Sequence, residues 1–513
     1  MPAQDLQSVA LACLVVAISL YALLWYRDPL RAIPTVCGPS LPGLSYIAAA
    51  RGQRNFKELV EEGCRKYPES LFKVALPTHW LVVFSGRRMF EELRRRPDEE
   101  LSHVLNLREI LQTSYTLEPP LVADRYPGRI LKERFTPRKL PDTILEVVDE
   151  AAIAVRQRIA AKDSEWNSVL VFPTMQQIIA CAINRAFVGL PLCRNETFLG
   201  QAIGFTKQLI RDASLLRLVS AFVRPFIAPF LSRTRNVTIG AVPVLQPIIE
   251  ERRRTFEELG EGWNDKPNDM LQFILDEAIP KGETLTVITQ RVLLLNFASI
   301  HTTTSTLAHM IYHIAEKPEL LQVVPLREEI EATIATDGWT ATTLGKMPVQ
   351  KLDSLLRETL HLNGLGLVVM QRVAAKDLTL CDGTCIPRGT IVCAAAHQLH
   401  RDAAALKNMG VFDPFRYARM HAAAATEDDG RKLQATTTSQ DYLPFGHGPY
   451  ACPGRYFAGY GIKAILAQII LEYDLKLGGD GVRPADIHVG TTVMPAMDGR
   501  VLFRKRGASS SLS

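Results

Sequence analysis

The ten residues Phe445-Gly446-His447-Gly448-Pro449-Tyr450-Ala451-Cys452-Pro453-Gly454 are where this chain has the means to do chemistry. Two glycines and a proline let the backbone bend tightly and approach a large flat ligand. Cys452 stands before a helical pattern predicted over Pro453 to about Tyr473, with Pro453 at its first position. At a helix N-terminus the unsatisfied N–H groups and the positive end of the dipole favour a thiolate over a thiol. Such a thiolate can be an axial ligand to iron, its donor strength tuned by N–H groups aimed at the sulfur. A buried structural cysteine at a helix cap is the other reading of Cys-Pro-Gly taken alone.

A second candidate is Ala298-Ser299-Ile300-His301-Thr302-Thr303. It lies within a helix predicted from about Thr284 to Glu316, about 50 Å at standard rise. Leu293, Phe297, Ile300, Thr304, Leu307, Ile311 and Ile314 form one stripe, and other faces carry Leu294, Leu295, Ala298 and Ala308. A helix apolar nearly all round is a buried central one. Ala298 and Thr302 are i, i+4 neighbours, and small side chains leave space beside the Thr302 hydroxyl. That hydroxyl can bond back to the carbonyl of residue 298 and loosen the helix locally. A solvent-facing polar stripe is the alternative, and the apolar surroundings disfavour it. His301 reads equally as a proton relay or as a hydrogen-bonding core residue.

The whole decapeptide resembles the haem-binding loop of the cytochrome P450 family, and Ala298 to Thr303 is similar to that family's oxygen-binding groove. Glu358-Thr359-Leu360-His361 is similar to its Glu-x-x-Arg, and Phe412-Asp413-Pro414-Phe415-Arg416 to the segment whose arginine completes that structural triad. Order and spacing agree along essentially the whole chain. His-Thr-Thr in the groove with Cys-Pro-Gly-Arg after the loop is similar to fungal members of secondary metabolism, especially the ent-kaurene-oxidase-like branch.

The resemblance implies haem b (iron protoporphyrin IX), with Cys452 as axial thiolate and metal ligand. It puts Thr302 and His301 in catalysis, and Phe445, Gly448, Tyr450, Gly454, Arg372 and Lys132 at the cofactor. Glu358, His361 and Arg416 are the implied triad, and Ala298, Ser299, Leu365, Val368 and Val369 the implied substrate pocket. The implied activity is a haem-thiolate monooxygenase that hydroxylates or oxidises an apolar secondary metabolite, a terpenoid by analogy with the branch. It takes O₂ and electrons from an NADPH-cytochrome P450 reductase, and cytochrome b5 is a second donor the resemblance admits.

Three positions depart from the pattern: His301, which replaces the acidic residue common in the family, His361 and Tyr450. His361 replaces the triad arginine, whose rigid fork of donors histidine cannot reproduce. Glu358 is expected to pair mainly with Arg416, leaving a weaker scaffold on the haem side. The same change motivates an alternative: a haem-thiolate protein without monooxygenase turnover, either an isomerase or dehydratase or an inactive binding partner. Tyr450 stands where the family has a charged propionate partner and brings no charge. Arg372, at the start of a β segment, is a substitute for it, against the alternative of an ordinary exposed sheet arginine. Lys132 or Arg129 is a third partner, although the family tryptophan expected there is missing.

Two histidine pairs look like metal ligands and are read otherwise. His309 and His313 are an ordinary i, i+4 helix pair, and His397 and His400 near Arg401 are turn residues. The sequence contains no Gly-x-Ser-x-Gly, Walker loop or dinucleotide fingerprint, so NADPH is expected on a separate protein.

These groups need a large scaffold, and the 513 residues allow one. Hydrophobic residues make up 47% and charged residues 22%, which excludes a mostly disordered chain. With 59 Lys plus Arg against 54 Asp plus Glu, the net charge of +5 is too faint and too spread for a nucleic-acid binder. Nine cysteines without a Cys-x-x-Cys pair speak against a disulfide framework or a zinc knuckle.

Most of the chain reads as helix. Short β signals appear at Leu71–Leu76, Trp80–Phe84 and from Val368 to Cys393, the last with turns at Cys381-Asp382-Gly383 and Pro387-Arg388-Gly389. The expected fold is therefore mainly α with small β-sheets (α+β), a single large helical domain behind an N-terminal transmembrane helix. Leu6 through Tyr26 carries no charge, and roughly 20 such residues cross a ~30 Å hydrocarbon layer. Arg27 and Arg31 follow at once, which keeps that side cytosolic. The expected organisation is an anchor at 1–27, a proline-rich hinge at 28–43 and the catalytic domain at 44–513. The expected location is the endoplasmic reticulum membrane, single-pass. His421 to Gln440, rich in Ala, Thr, Asp and Gly, is predicted to be a surface loop.

Overall fold

The structure is a computed structural model that describes residues 3–38, 49–50, 52, 55–161, 165–318, 326–339, 351–396 and 410–507. His397, His400 and Arg401 lie outside these. The chain divides into two compact units. The first comprises residues 1–107, 366–404 and 488–492; the second comprises 108–365, 405–487 and 493–513.

The first unit begins with helix α1 (Ala3–Tyr26). Among the described residues no helix is long and apolar enough to cross a membrane, so the expected spanning segment is not shown. Its strands are β1 (Thr35–Val36), β2 (Leu71–Ala75), β3 (Trp80–Phe84), β4 (Leu101–Ser102), β5 (Val369–Ala374), β6 (Leu378–Thr379), β7 (Cys385–Ile386) and β8 (Ile391–Ala394), with helices α2 (Phe56–Lys66) and α3 (Gly86–Arg95) between them. Six strands form one sheet in the order β1-β2-β3-β8-β5-β4. Leu71 pairs with Phe84 antiparallel, and Leu81 pairs with Ile391 parallel. The central strands are buried along almost their whole length, which explains their near-continuous apolar runs. Both predicted turns form, with Gly383 and Gly389 at φ 83° and 85°, a region open to glycine without strain.

The stretch read as a hinge is part of this sheet at its described end. The Pro34 carbonyl accepts Lys73 N–H at 2.8 Å, and Thr35 pairs with Lys73. The buried Lys73 ammonium donates to the Leu30 carbonyl at 2.6 Å. Proline removes a donor but keeps its acceptor, so a proline-rich segment can still dock on a sheet edge.

The second unit is mainly helical: α4 (Tyr126–Arg134), α5 (Pro141–Ile159), α6 (Val171–Phe187), α7 (Glu196–Leu218), α8 (Arg224–Leu231), α9 (Thr234–Leu259), α10 (Leu285–Glu316), α11 (Lys351–Leu362), α12 (Arg416–Ala422) and α13 (Arg455–Glu472). Thr284 caps α10 by accepting Val287 N–H at 3.4 Å. Every residue from Thr303 to Ala315 is buried, so α10 is the central helix its all-round apolarity predicts.

α13 starts later than predicted. Pro453 and Gly454 form a turn, Gly454 is the N-cap residue, and Arg455 is the first helical residue. The helix stops at Glu472, because Tyr473–Leu477 pairs with Arg500–Lys505 in a three-stranded sheet completed by Asn167–Leu170. Residues 421–440 are not an open loop either. They contain the short helix Glu427–Arg431, and Gly430, Ala435 and Thr436 are buried.

Candidate active site

The Cys452 loop closes on itself. Cys452 N–H donates to the Phe445 carbonyl at 2.8 Å, and Ala451 N–H to the Gly448 carbonyl at 3.1 Å. Gly446 and Gly448 take φ of 67° and 80°, values a side chain would strain. Thr438 Oγ1 lies 3.0 Å from His447 Nδ1, and the Arg455 guanidinium donates to the Cys452 carbonyl at 3.0 Å. Burial pushes the Cys452 thiol above its ordinary value, opposed by the backbone N–H groups of Gly454 and Arg455 on the sulfur and by the Arg455 charge. Without a cation the sulfur is therefore a thiol. A bound metal reverses that balance and deprotonates it.

Cys452 borders a cavity of about 310 Å³ within the second unit. Ala298, Ser299, Thr302, Thr303 and Thr306 of α10 supply one wall. Phe457, Ala458, Gly461, Ile462 and Ile465 of α13 supply another, with Pro444, Phe445, Pro453 and Gly454 from the loop. Leu131, Val147, Ala182, Ile183, Phe187, Leu360 and Leu365 complete the lining. One sulfur donor with two N–H groups on it, set in hydrocarbon walls, suits a soft iron macrocycle and not a hydrated ion. The residues present fit a haem.

The Thr302 hydroxyl donates to the Ala298 carbonyl at 3.0 Å, as the spacing predicts, and lies 3.4 Å from that of Ser299. Thr304, Ser305 and Thr306 make the same back-bond to Ile300, His301 and Thr302. The helix nevertheless stays unbroken through these residues. The expected loosening is absent, because an acceptor carbonyl has two lone pairs and can serve both its main-chain partner and a hydroxyl.

His301 does not line the cavity. At 100° per residue it points away from Thr302, and its Nδ1 meets Gln176 Nε2 at 3.0 Å. Burial lowers its basicity, so of the two readings the contacts favour the core residue.

The carboxylate of Glu358 is fully buried and pairs with Arg416, with Nε–Oε2 and Nη2–Oε1 both 3.2 Å. It also accepts Asp413 N–H at 2.9 Å. Burial raises the Glu358 carboxyl, and Arg416 and Asp413 N–H work against that. His361 is buried on the same helix, edge-on to Tyr417 with ring centres 6.5 Å apart.

The other cofactor candidates lie as follows. Lys132 is exposed on α4, and its neighbour Leu131 faces the cavity instead. Arg129 pairs with Glu277 at 2.8 Å. Tyr450 is 42% exposed in the single turn Gly448–Tyr450 and is not part of the lining; nor is Gly448. Arg372 is 1% exposed, not an open sheet residue, and donates to the carbonyls of Arg96 at 3.0 Å and Leu93 at 3.5 Å. The last carbonyls of α3 lack helical donors, and a guanidinium answers that need. Val368 and Val369 belong to the first unit, where Val368 is buried and Val369 opens β5.

Sequence reasoning missed the walls given by α4, α5, α6 and α13. Phe457 stacks on Phe187 with centres 5.8 Å apart and meets Phe135 edge-on at 5.1 Å. In one dimension an apolar residue facing a cavity looks like one facing the core.

The model of the family described as Cytochrome P450 matches residues 37–503. The chain is 49% identical over 507 residues to cytochrome P450 monooxygenase CYP512U6 of Ganoderma lucidum, covering 99% of this chain and 98% of that one. It is 41% identical over 499 residues to cytochrome P450 monooxygenase 151 of Postia placenta, with 97% and 98% covered. An ent-kaurene oxidase of Gibberella intermedia is 29% identical over 453 residues, with 87% and 83% covered. Among solved structures, the cytochrome P450DA heme domain shares the fold, with a TM-score of 0.67 over 94% of this chain and 99% of that chain at 20% identity. A family match across most of the chain and near-full-length likeness to named monooxygenases agree with the thiol and the hydroxyl on one cavity: this chain belongs to the cytochrome P450 family, a monooxygenase lineage that holds haem through a cysteine thiolate.

Proposed function

We propose that this protein hydroxylates or oxidises an apolar secondary metabolite, of terpenoid type, with Cys452 as the haem-iron ligand. One observation carries the reading. Cys452, with two N–H groups on its sulfur, and Thr302, with its hydroxyl anchored to Ala298, line the same apolar cavity. Bound haem supplies the oxygen-activating iron. The chain supplies the rest. Phe445, Gly454 and Phe457 enclose the group beside Cys452. Thr302 holds a proton at Oγ1 at the edge of the cavity, with Ser299 and Thr303 beside it. Ala298, Leu360 and Leu365 give an apolar substrate a surface that excludes water. The terpenoid assignment is supported by the likeness to an ent-kaurene oxidase and by these walls.

Electrons come from an NADPH-cytochrome P450 reductase, with cytochrome b5 as a second donor. The lack of a dinucleotide fingerprint in the chain supports a separate reductase. The protein sits at the endoplasmic reticulum membrane through residues 1–27. The uncharged run Leu6–Tyr26 supports this, as do Leu14, Val15, Val16 and Ile18, each more than half exposed on α1.

The deciding experiment is the reduced carbon monoxide spectrum of the parent and of Cys452→Ser. The parent is expected to show the red-shifted thiolate band and to form product only with NADPH and reductase; the variant is expected to show neither. Retention of pigment and turnover by Cys452→Ser would refute the assignment. Product formation without a reductase would favour an isomerase or dehydratase.

A further inference from the structure

The chain reaches the Cys452 loop through residues 432–442, and one buried arginine holds that approach. Arg357, on α11 beside Glu358, is 4% exposed. Its Nη1 donates to the carbonyls of Gln434 at 2.5 Å and Lys432 at 3.2 Å. Its guanidinium carbon lies 3.9 Å from the centre of the Tyr442 ring and 4.7 Å from that of Tyr417. Asp353, one turn earlier on α11, accepts Ala435 N–H at 2.8 Å, and the Tyr442 hydroxyl donates to the Ala435 carbonyl at 3.1 Å. Tyr442 is followed by Leu443-Pro444-Phe445, and Phe445 closes the cysteine loop through its carbonyl. One helix thus grips the backbone just upstream of the ligand residue.

A guanidinium is suited to this grip. It is planar, permanently charged and carries five donors in a fixed fork, so it satisfies two carbonyls while stacking on an aromatic face. An imidazole has at most two donors and no fork, so His361 cannot supply the same contact set.

We propose that Arg357 is a positioning residue for the haem-ligating thiolate: by clamping the carbonyls of Lys432 and Gln434 and stacking on Tyr442, it fixes the register of the segment that presents Cys452, supplying from position 357 the guanidinium that α11 lacks at 361. The inference rests on the reading of Cys452 as the haem ligand. It predicts that loss of the guanidinium detaches the thiolate from the iron while leaving haem in the protein.

The test uses the full chain, loaded with haem, as parent, Arg357→Met, Arg357→Lys and Leu355→Ala. Methionine keeps the buried stem without charge or donors. Lysine keeps the charge without the fork. Leu355 is a fully buried apolar neighbour on α11 whose side chain has no group to hydrogen-bond residues 432–442. Three quantities are read: haem per protein, the fraction of reduced carbon monoxide complex showing the thiolate band, and the far-ultraviolet dichroism on heating.

Arg357→Met is expected to keep haem but lose thiolate fraction about tenfold, and Arg357→Lys about threefold. Leu355→Ala is expected to unfold at lower temperature with an unchanged thiolate fraction. A parental thiolate fraction in Arg357→Met overturns the proposal. So does an equal loss in Leu355→Ala, since a merely structural role would produce it. If Arg357→Met does not fold, Arg357→Lys decides alone, a fall supporting the proposal and a parental value overturning it. A parent that lacks the thiolate band refutes the reading of Cys452 itself, a result seen before any variant is compared.

Discussion

Thr302 shows how much a single side chain can say. Its back-bond to Ala298 spans one helical turn, and contacts of that kind are set by spacing on a rigid rod. Removing the hydroxyl while keeping the shape should therefore leave the fold and the haem intact but impair proton delivery. Thr302→Val is expected to lower product formed per NADPH oxidised by about 100-fold or more, and Thr302→Ser by less than about tenfold. Equal coupling in parent and Thr302→Val would remove Thr302 from the chemistry. Lys132 and Arg372 show the opposite limit. Their types suit a carboxylated cofactor, and the structure adds what spacing does not give: Lys132 is exposed, and Arg372 Nη1 also meets the end of α3. Side-chain direction and the needs of a distant helix terminus leave no mark on local spacing.

Between elements, a buried pair joins Asp353 on α11 to Lys463 on α13, 3.1 Å apart and at most 2% exposed. Burial raises the Asp353 carboxyl and lowers the Lys463 amine, while each partner's charge opposes this. Asp353→Asn leaves an uncompensated ammonium and is expected to cost about 3–5 kcal/mol, whereas Asp353→Asn with Lys463→Met, which keeps an acceptor for Ala435 N–H, recovers most of it. Unfolding midpoints of the parent and the two variants check this, and equal midpoints for the single and double variants would contradict it.

A second link joins α10 to residues 363 and 483–486. His313 lies 2.8 Å from Asn363 Oδ1, His309 lies 3.0 Å from Arg483, and Arg483 and Asn363 both donate to Asp486. Burial, aided by the Arg483 charge, holds both rings neutral, His313 down to about 3 and His309 well below its usual 6.5. The unfolded chain binds their protons below about 6.5, so it gains stability relative to the folded chain as pH falls from there towards 3. The loss is at most about 1.4 kcal/mol per pH unit for each ring. His313→Gln is expected to flatten that slope, and an unchanged slope between pH 6.5 and 4 would show that the ring does not titrate on unfolding.

For the molecule as a whole, the proposed membrane attachment is the reading with the widest reach. Beyond α1, the second unit exposes Phe222, in the turn before α8, and Phe226 and Phe230, four apart on α8 and so on one face, at 84%, 69% and 85%. Large contiguous apolar exposure marks an interaction surface. In the full chain, Val16→Arg places a charge within the uncharged run at about 2.5–3.5 kcal/mol. It is expected to move protein from the pellet to the supernatant on alkaline extraction. Phe226→Asp with Phe230→Asp should weaken vesicle binding about tenfold or more without release on extraction. No change in either assay would detach these residues from the membrane.

Patterns carried along a few turns or a few strand residues were enough to read α10, the β2 and β3 strands, the two glycine turns and the closed cysteine loop, because each depends on neighbours close in the chain. Residues 421–440 read as a surface loop and the strand after α13 gives no β signal, because their surroundings come from far away. Asp353 and Arg357 bury the first, and Arg500–Lys505 pairs with the second. The cavity that unites Cys452 with Thr302 likewise exists only once residues 150 apart in number face each other, since hydrophobic burial is non-directional and composition alone cannot say which apolar surfaces meet.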